Sequence, residues 1–290
     1  MFDFVYYPVS AVLWLWHTVF AAVLGADSGL AWVLAVVFLV ASLRAIMIPP
    51  FLKQARTQAA MKRLQPRFQA IQKKYPDDKA RQYTEMQQLR KENGVNPLAG
   101  CLPMLGQGLV FFALFHVLRS FDRTGTAGQV PFGSTATPMT AEQNAATANY
   151  VFDAARVRSF LDADLFGAPL SAPLAGRPGI ATVAVAVTLM LIAAVATHFT
   201  ARASIARQDP GAGQAAALMN PLLLWVFPAG VLVGGAVLPV AILLYWVANN
   251  AWTLAQQHLV YRRLDAESAA APVVATATAP RPGAKPRRRR

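Results

Sequence analysis

Arg44, Gln107, Tyr245, Trp246 and Asn249 stand inside stretches otherwise apolar enough for hydrocarbon. The chemistry they offer is recognition. A guanidinium carries donors and no acceptor, an amide carries both, and neither belongs in lipid without a partner. An arginine at the centre of a membrane helix costs about 2.5–3.5 kcal/mol on insertion scales and roughly 10–17 kcal/mol in simulations of an isolated helix. Arg44 occurs within "VLAVVFLVASLRAIMIPPFLKQ", residues 33–54. Two readings follow. Either its side chain snorkels toward headgroups beside Lys53 and Arg56, or it faces a wet interior cavity and meets a polar or acidic partner there. Gln107 can hydrogen-bond a neighbouring helix. Tyr245, Trp246, Asn249 and Asn250 read as an aromatic belt with a polar helix end.

Bond-making chemistry has no footing. There is no G-x-x-x-x-G-K-[ST], no H-E-x-x-H, no G-x-S-x-G and no intramembrane carboxylate pair. An enzyme is therefore not expected. Cys101 is the single cysteine, which excludes an intramolecular disulfide and a cysteine-based zinc cluster and leaves it as a small packing residue. His17, His116, His198 and His258 show no metal-ligand spacing and read as helix-face residues, so no cofactor is expected.

The elements that must hold these residues are membrane helices. Of 290 residues 55% are hydrophobic and 14% charged, with a mean hydropathy of +0.37, too apolar for a soluble domain of this length. The expected architecture is an all-α polytopic membrane protein with a five-helix core. An interfacial helix (residues 9–24) lies within an external N-terminus (1–28), because its apolar run is short for a span and Trp14, Trp16 and His17 suit an interface. Spans follow at 29–50, 97–119, 179–199, 216–233 and 238–257, the last two split by Phe227-Pro228-Ala229-Gly230 and Gly234-Gly235. No basic n-region precedes the first apolar run, so a cleavable signal peptide is not expected.

Charge gives the orientation. Lys+Arg number 27 against 14 acids, a net +13. The basic residues concentrate in segments 51–96, 200–215 and 258–290, which share one side under this topology, so the N-terminus is expected outside and the C-terminus in the cytoplasm. This asymmetry explains the high pI without nucleic acid. Within 51–96, Met61, Leu64, Phe68, Ile71 and Tyr75 draw an apolar seam at helical spacing. "KYPDDK" supplies a turn with an Asp cap, Gly94 suits a C-cap and Pro97 a new helix, which makes a cytoplasmic helical hairpin with Pro66 kinking its first helix. In the external loop 120–178, "GSTATPMTAEQNAATANY" reads as flexible and "FLDADLFGAPLSAP" as lying on the membrane surface. The tail beyond Asp265, ending "RPGAKPRRRR", reads as disordered and basic.

In ordered combination these features resemble the YidC/Oxa/Alb family of membrane protein insertases, in its short bacterial form without a large periplasmic domain. The resemblance spans roughly residues 9–264. It rests on Arg44 followed by "PPFLKQ", on "LQPRFQAIQKKYPDDKARQYTEMQQLRKENGVNPLAGCLPMLGQ", on "FLDADLFGAPLSAP" and on "LLYWVANNAWTLAQQ". It implies insertion and folding of nascent membrane proteins through a hydrophilic groove in the bacterial plasma membrane, open to cytoplasm and lipid and closed externally. Arg44 matches the family's groove arginine by position, and Gln107, Tyr245, Trp246 and Asn249 are implied groove residues, with weaker suggestions at Thr188, Thr197 and His198. Gly108 stands where the family often has proline. The implied partners are client chains, a Sec-type translocon, the signal recognition particle receptor, ribosomes and anionic lipids. A small-solute transporter or channel is the rival, and it would call for internal repeats that are not evident in this sequence.

Overall fold

The computed structural model describes residues 2–95, 98–124, 138–175, 178–206, 208 and 213–270, with the side chains of 98–105, 107, 213–215, 265 and 268–270 outside the description. The Cys101 side chain and the tail beyond residue 270 thus fall outside it, whereas residues 258–270, expected to begin a disordered tail, continue the last helix. Helices α1 (Asp3–Leu24) and α2 (Gly29–Ile46) form an antiparallel pair, Trp16 donating to Ser42 Oγ at 2.9 Å while Phe20 packs on Phe38. α2 stops earlier than expected, at Met47 rather than residue 50. The two prolines that follow enter the first turn of α3 (Ile48–Lys74), where their missing N–H groups cost nothing.

α3 runs on through Pro66 and turns back into α4 (Lys79–Glu92). The turn is set by Asp78, whose carboxylate accepts from Arg81 N at 2.9 Å. Leu64, Phe68 and Val95 are buried together, flanked by Met61, Met86 and Leu89, so the expected seam closes the hairpin. Tyr75 differs: its ring sits under Lys74 and Arg81, at 5.0 and 4.9 Å.

After α5 (Leu98–Arg119), residues 138–175 fold as a cap rather than a flexible loop or a surface strip. Short α6 (Ala141–Ala145) has a reciprocal capping box between Thr140 and Gln143, and buried Asn144 donates to Phe121 O. α7 (Ala154–Asp162) leads into a two-stranded hairpin, β1 (Asp164–Leu165) against β2 (Ala168–Pro169). Its turn residues Phe166 and Gly167 both have positive φ, as a tight hairpin requires. The apolar residues expected on the membrane surface instead enter the core: Phe160, Ala163, Ala168 and Leu170 are buried, and only Phe166 stands out. Trp32 is the hub, fully buried against His17, Phe121, Phe152 and Phe160 and donating to Ser159 Oγ at 3.0 Å. α1 meets the cap along its length, through Tyr6 and Tyr7 on Tyr150 and through Trp14 and Thr18 on Arg156.

α8 (Ile180–Ile205) is followed by α9 (Gly213–Pro221), one π turn (Leu222–Val226), α10 (Phe227–Gly234) and α11 (Val240–Ala270). The expected break at Phe227-Pro228 is absorbed by the π turn. Pro228 has no N–H to offer Leu224 O, and His198 Nδ1 takes that place at 2.9 Å. Among the described residues, four helices are long and apolar enough to cross a membrane: 3–24, 29–46, 180–205 and 216–237. α1 is one of them by length and composition, although its contacts follow the cap. α11 is not, because Asn249, Asn250, Gln256 and Gln257 interrupt its apolar run.

Candidate intramembrane binding site

Arg44 lies in the last turn of α2 and turns inward to α11. Its Nε and Nη2 both donate to Asn249 Oδ1, at 3.0 and 2.7 Å, and Nη2 also donates to Thr253 Oγ1 at 2.9 Å. Residues 249 and 253 share a helix face by their spacing of four. The Thr253 hydroxyl spends its proton on Asn249 O at 2.8 Å, which presents its lone pairs to the guanidinium. Since arginine only donates, the amide oxygen of Asn249 must face it. The partners are therefore polar and neutral.

Tyr245, one turn before Asn249, is 2% exposed and packs on Phe111 at a ring distance of 5.8 Å. It lies close enough to Arg44 to interact electrostatically and makes an apolar floor for the site. Trp246 points elsewhere, to Ala193, Ala194 and Val231 of α8 and α10. The Gln107 side chain lies outside the described residues. The structure thus brings Arg44, Asn249 and Tyr245 together and leaves Trp246 on the neighbouring face.

A second polar seam runs between α8 and α11, on the face of α11 that carries Trp246 and Asn250. Thr197 donates to Asn250 Oδ1 at 3.4 Å, and Gln257 donates to Ser204 Oγ at 3.2 Å. Thr200 Oγ1 and Gln257 Oε1 are buried with no partner among the described residues, so the seam retains hydrogen-bonding capacity. Thr188 and His198 do not join it. Thr188 is exposed and bonded to Ala184 O, and His198 is committed to Leu224 O. Sequence reasoning missed Thr253, although its spacing from Asn249 was a usable signal. It also missed Ser204 and Gln257, which become partners only once α8 and α11 pack. No group of three or more metal-ligating residues occurs among the described residues.

The family model described as 60Kd inner membrane protein matches residues 23–267. A protein of Mycolicibacterium paratuberculosis named membrane protein insertase YidC is 50% identical to this chain, over 99% of it and 84% of the relative. A protein of the same name from Mycobacterium tuberculosis is 48% identical over 99% of this chain and 81% of its own. A third, from Streptomyces avermitilis, is 35% identical over 90% of this chain and 58% of its own. All three carry an insertase name, so the transporter reading has no support. With a family match over most of its length and relatives 48–50% identical along 99% of it, this chain belongs to the 60Kd inner membrane protein family and is a multi-pass bacterial membrane protein.

Proposed function

We propose that this chain is an insertase and chaperone for nascent membrane proteins, and that Arg44, with the polar seam between α8 and α11 beside it, lines the groove that receives them. The observation that carries the reading is the neutral partnership of Arg44. Asn249 and Thr253 hold the guanidinium in place without cancelling its charge, so it remains attractive to a client's polar or acidic leading segment. Low-dielectric walls strengthen that attraction, while Thr200 and Gln257 offer further partners to polar groups in transit. The client's apolar helix then leaves sideways into lipid, and its burial there supplies the driving force. The family is not a classical enzyme family, and this mechanism makes or breaks no bond.

Five spans (α2, α5, α8, the α9–α10 segment and α11) form the core in this reading, and α1 lies along the boundary with the cap, whose residues it follows from Tyr6 to Thr18. The positive-inside rule puts the cap outside and the α3–α4 hairpin in the cytoplasm. There the hairpin and basic tail are placed to meet a Sec-type translocon, the signal recognition particle receptor, ribosomes and anionic lipids. The test is insertion of a single-spanning client with an acidic external tail into proteoliposomes holding wild type or Arg44→Ala. Loss of insertion at equal protein abundance, partly restored by Arg44→Lys and weakened when the tail is neutralised, is expected. Unimpaired insertion by Arg44→Ala would overturn the groove reading.

A further inference from the structure

A cavity of about 550 Å³ opens where α3 begins and the α4 helix ends, and Arg44 is not part of its lining. Pro49, Leu52 and Val95 give it an apolar wall, and Lys53, Arg56 and Thr57 a polar one. Thr57 spends its hydroxyl proton on Lys53 O at 2.9 Å, so the side-chain donors left on that wall are the two cations. Arg56 contacts Glu267 of α11 at 3.4 Å, but both side chains are about half exposed (58% and 44%), and an exposed pair of this kind contributes little. Glu267 is shared with Arg263 at 3.3 Å. Arg56 and Arg263 therefore share one carboxylate and Lys53 adds a further cation, so among the described residues the cavity mouth is positive.

Its depth is set by the chain. Ile46, the last residue of α2, is 73% exposed, as a side chain in hydrocarbon would be. Lys53 follows seven residues later, roughly 10 Å along a helix. The polar zone outside each hydrocarbon face is roughly 5–7 Å deep, and a lysine stem reaches back across it.

We propose that this cavity binds the headgroup of an anionic phospholipid, with Lys53 and Arg56 on the phosphate and Pro49, Leu52 and Val95 against the glycerol and first acyl carbons. Basic side chains beside apolar ones at a bilayer boundary suit a lipid better than a free anion, which gains nothing from the apolar wall. Phosphate and Glu267 then compete for Arg56, so removing the carboxylate strengthens binding. The site stands independently of the insertase reading.

The test titrates the delipidated, detergent-solubilised full chain with dioleoylphosphatidylglycerol, and in parallel with dioleoylphosphatidylcholine, reading bound lipid by native mass spectrometry. One tight phosphatidylglycerol is expected for wild type. Binding should be roughly tenfold weaker in Lys53→Gln/Arg56→Gln, tighter in Glu267→Gln, and unchanged in Arg67→Gln/Lys73→Gln, which removes the same charge some 20 Å along α3. Equal loss in the Arg67/Lys73 variant would reduce the effect to general surface charge and overturn the site. Equal binding of phosphatidylcholine, or displacement by inorganic phosphate, would overturn the headgroup assignment. The gain expected in Glu267→Gln keeps the proposal falsifiable should the double variant fold poorly.

Discussion

Gly29→Ala tests how tightly the cap is seated on the bundle. A Cβ at residue 29 would stand 1.8 Å from Asp164 O, 2.8 Å from Asp164 C and 3.0 Å from Asp164 N, whereas ordinary contact begins at 3.4 Å. The first residue of α2 and strand β1 must therefore part by about 1.6 Å, the difference between 3.4 and 1.8. No side chain can yield, because all three opposing atoms are backbone. Nor is β1 free to retreat: Leu170 N donates to Ala163 O, Ala241 N to Leu170 O and Val240 N to Ala172 O, tying the cap to the start of α11. Overpacking of this kind costs about 1–3 kcal/mol. Helix propensity opposes it, since alanine is favoured over glycine by up to about 1 kcal/mol inside a helix and by less at its first residue. The net expectation is a loss of roughly 1–2 kcal/mol and a melting temperature lower by roughly 2–8 °C. The assay is the thermal midpoint in detergent by intrinsic fluorescence, alongside Gly108→Ala. Gly108 has nothing within 4 Å of its added carbon, so that variant should melt no lower than wild type. A Gly29→Ala midpoint equal to or above wild type would refute the reasoning.

Thr253→Val keeps the shape of the side chain but removes one of three hydrogen bonds to Arg44; a loss of roughly 0.6–1.7 kcal/mol in unfolding assays and a partial fall in client insertion are expected, smaller than for Asn249→Leu. His198→Ala should cost a similar amount in wild type and little in a Pro228→Ala background, where residue 228 regains an N–H for Leu224 O; a double-mutant cycle showing no coupling would count against that account. Tyr150, with its hydroxyl 2.7 Å from His116 Nε2, has its pKa pushed by burial from 10.0 to about 12, with Tyr6, Asp3 and Tyr7 adding to the rise and Arg123 opposing it. A raised folded value means that the stability tied to the neutral phenol is intact below pH 10 and lost as pH climbs through about 12. Alkaline melting curves should show that loss in wild type and less of it in Tyr150→Phe.

Local signals were readable in the chain. Asp78 caps α4 and Gly94 adopts positive φ at its end, each set by neighbours a few residues away, and Leu64 and Phe68 share a helix face by their spacing of four and close the hairpin. The type of residue at the site was equally plain: a guanidinium in an apolar run demands a partner. Which partner was not, because Asn249 lies 205 positions away and only the packing of α2 on α11 selects it over Asn250. The same holds for the cap. Its sequence alternates polar stretches with apolar residues, and only the gathering of Phe152, Phe160 and Leu170 into the same core as Trp32 turns a loop into part of the bundle. Tyr245 and Trp246 show the limit most clearly. Adjacent residues on a helix diverge by about 100°, so both could not enter one site, and nothing in "LLYWVANN" says which does.

The neutral anchoring of Arg44 also bears on the transmembrane voltage. An elementary charge crossing the full potential exchanges about 2.3 kcal/mol per 100 mV. If Arg44 is the groove's charge, as proposed, its three hydrogen bonds to α11 hold the guanidinium in place, so it does little electrical work of its own and acts as a stationary pole. Any work the field performs is done on a mobile charge drawn toward that pole, and its sign follows from the direction in which that charge travels.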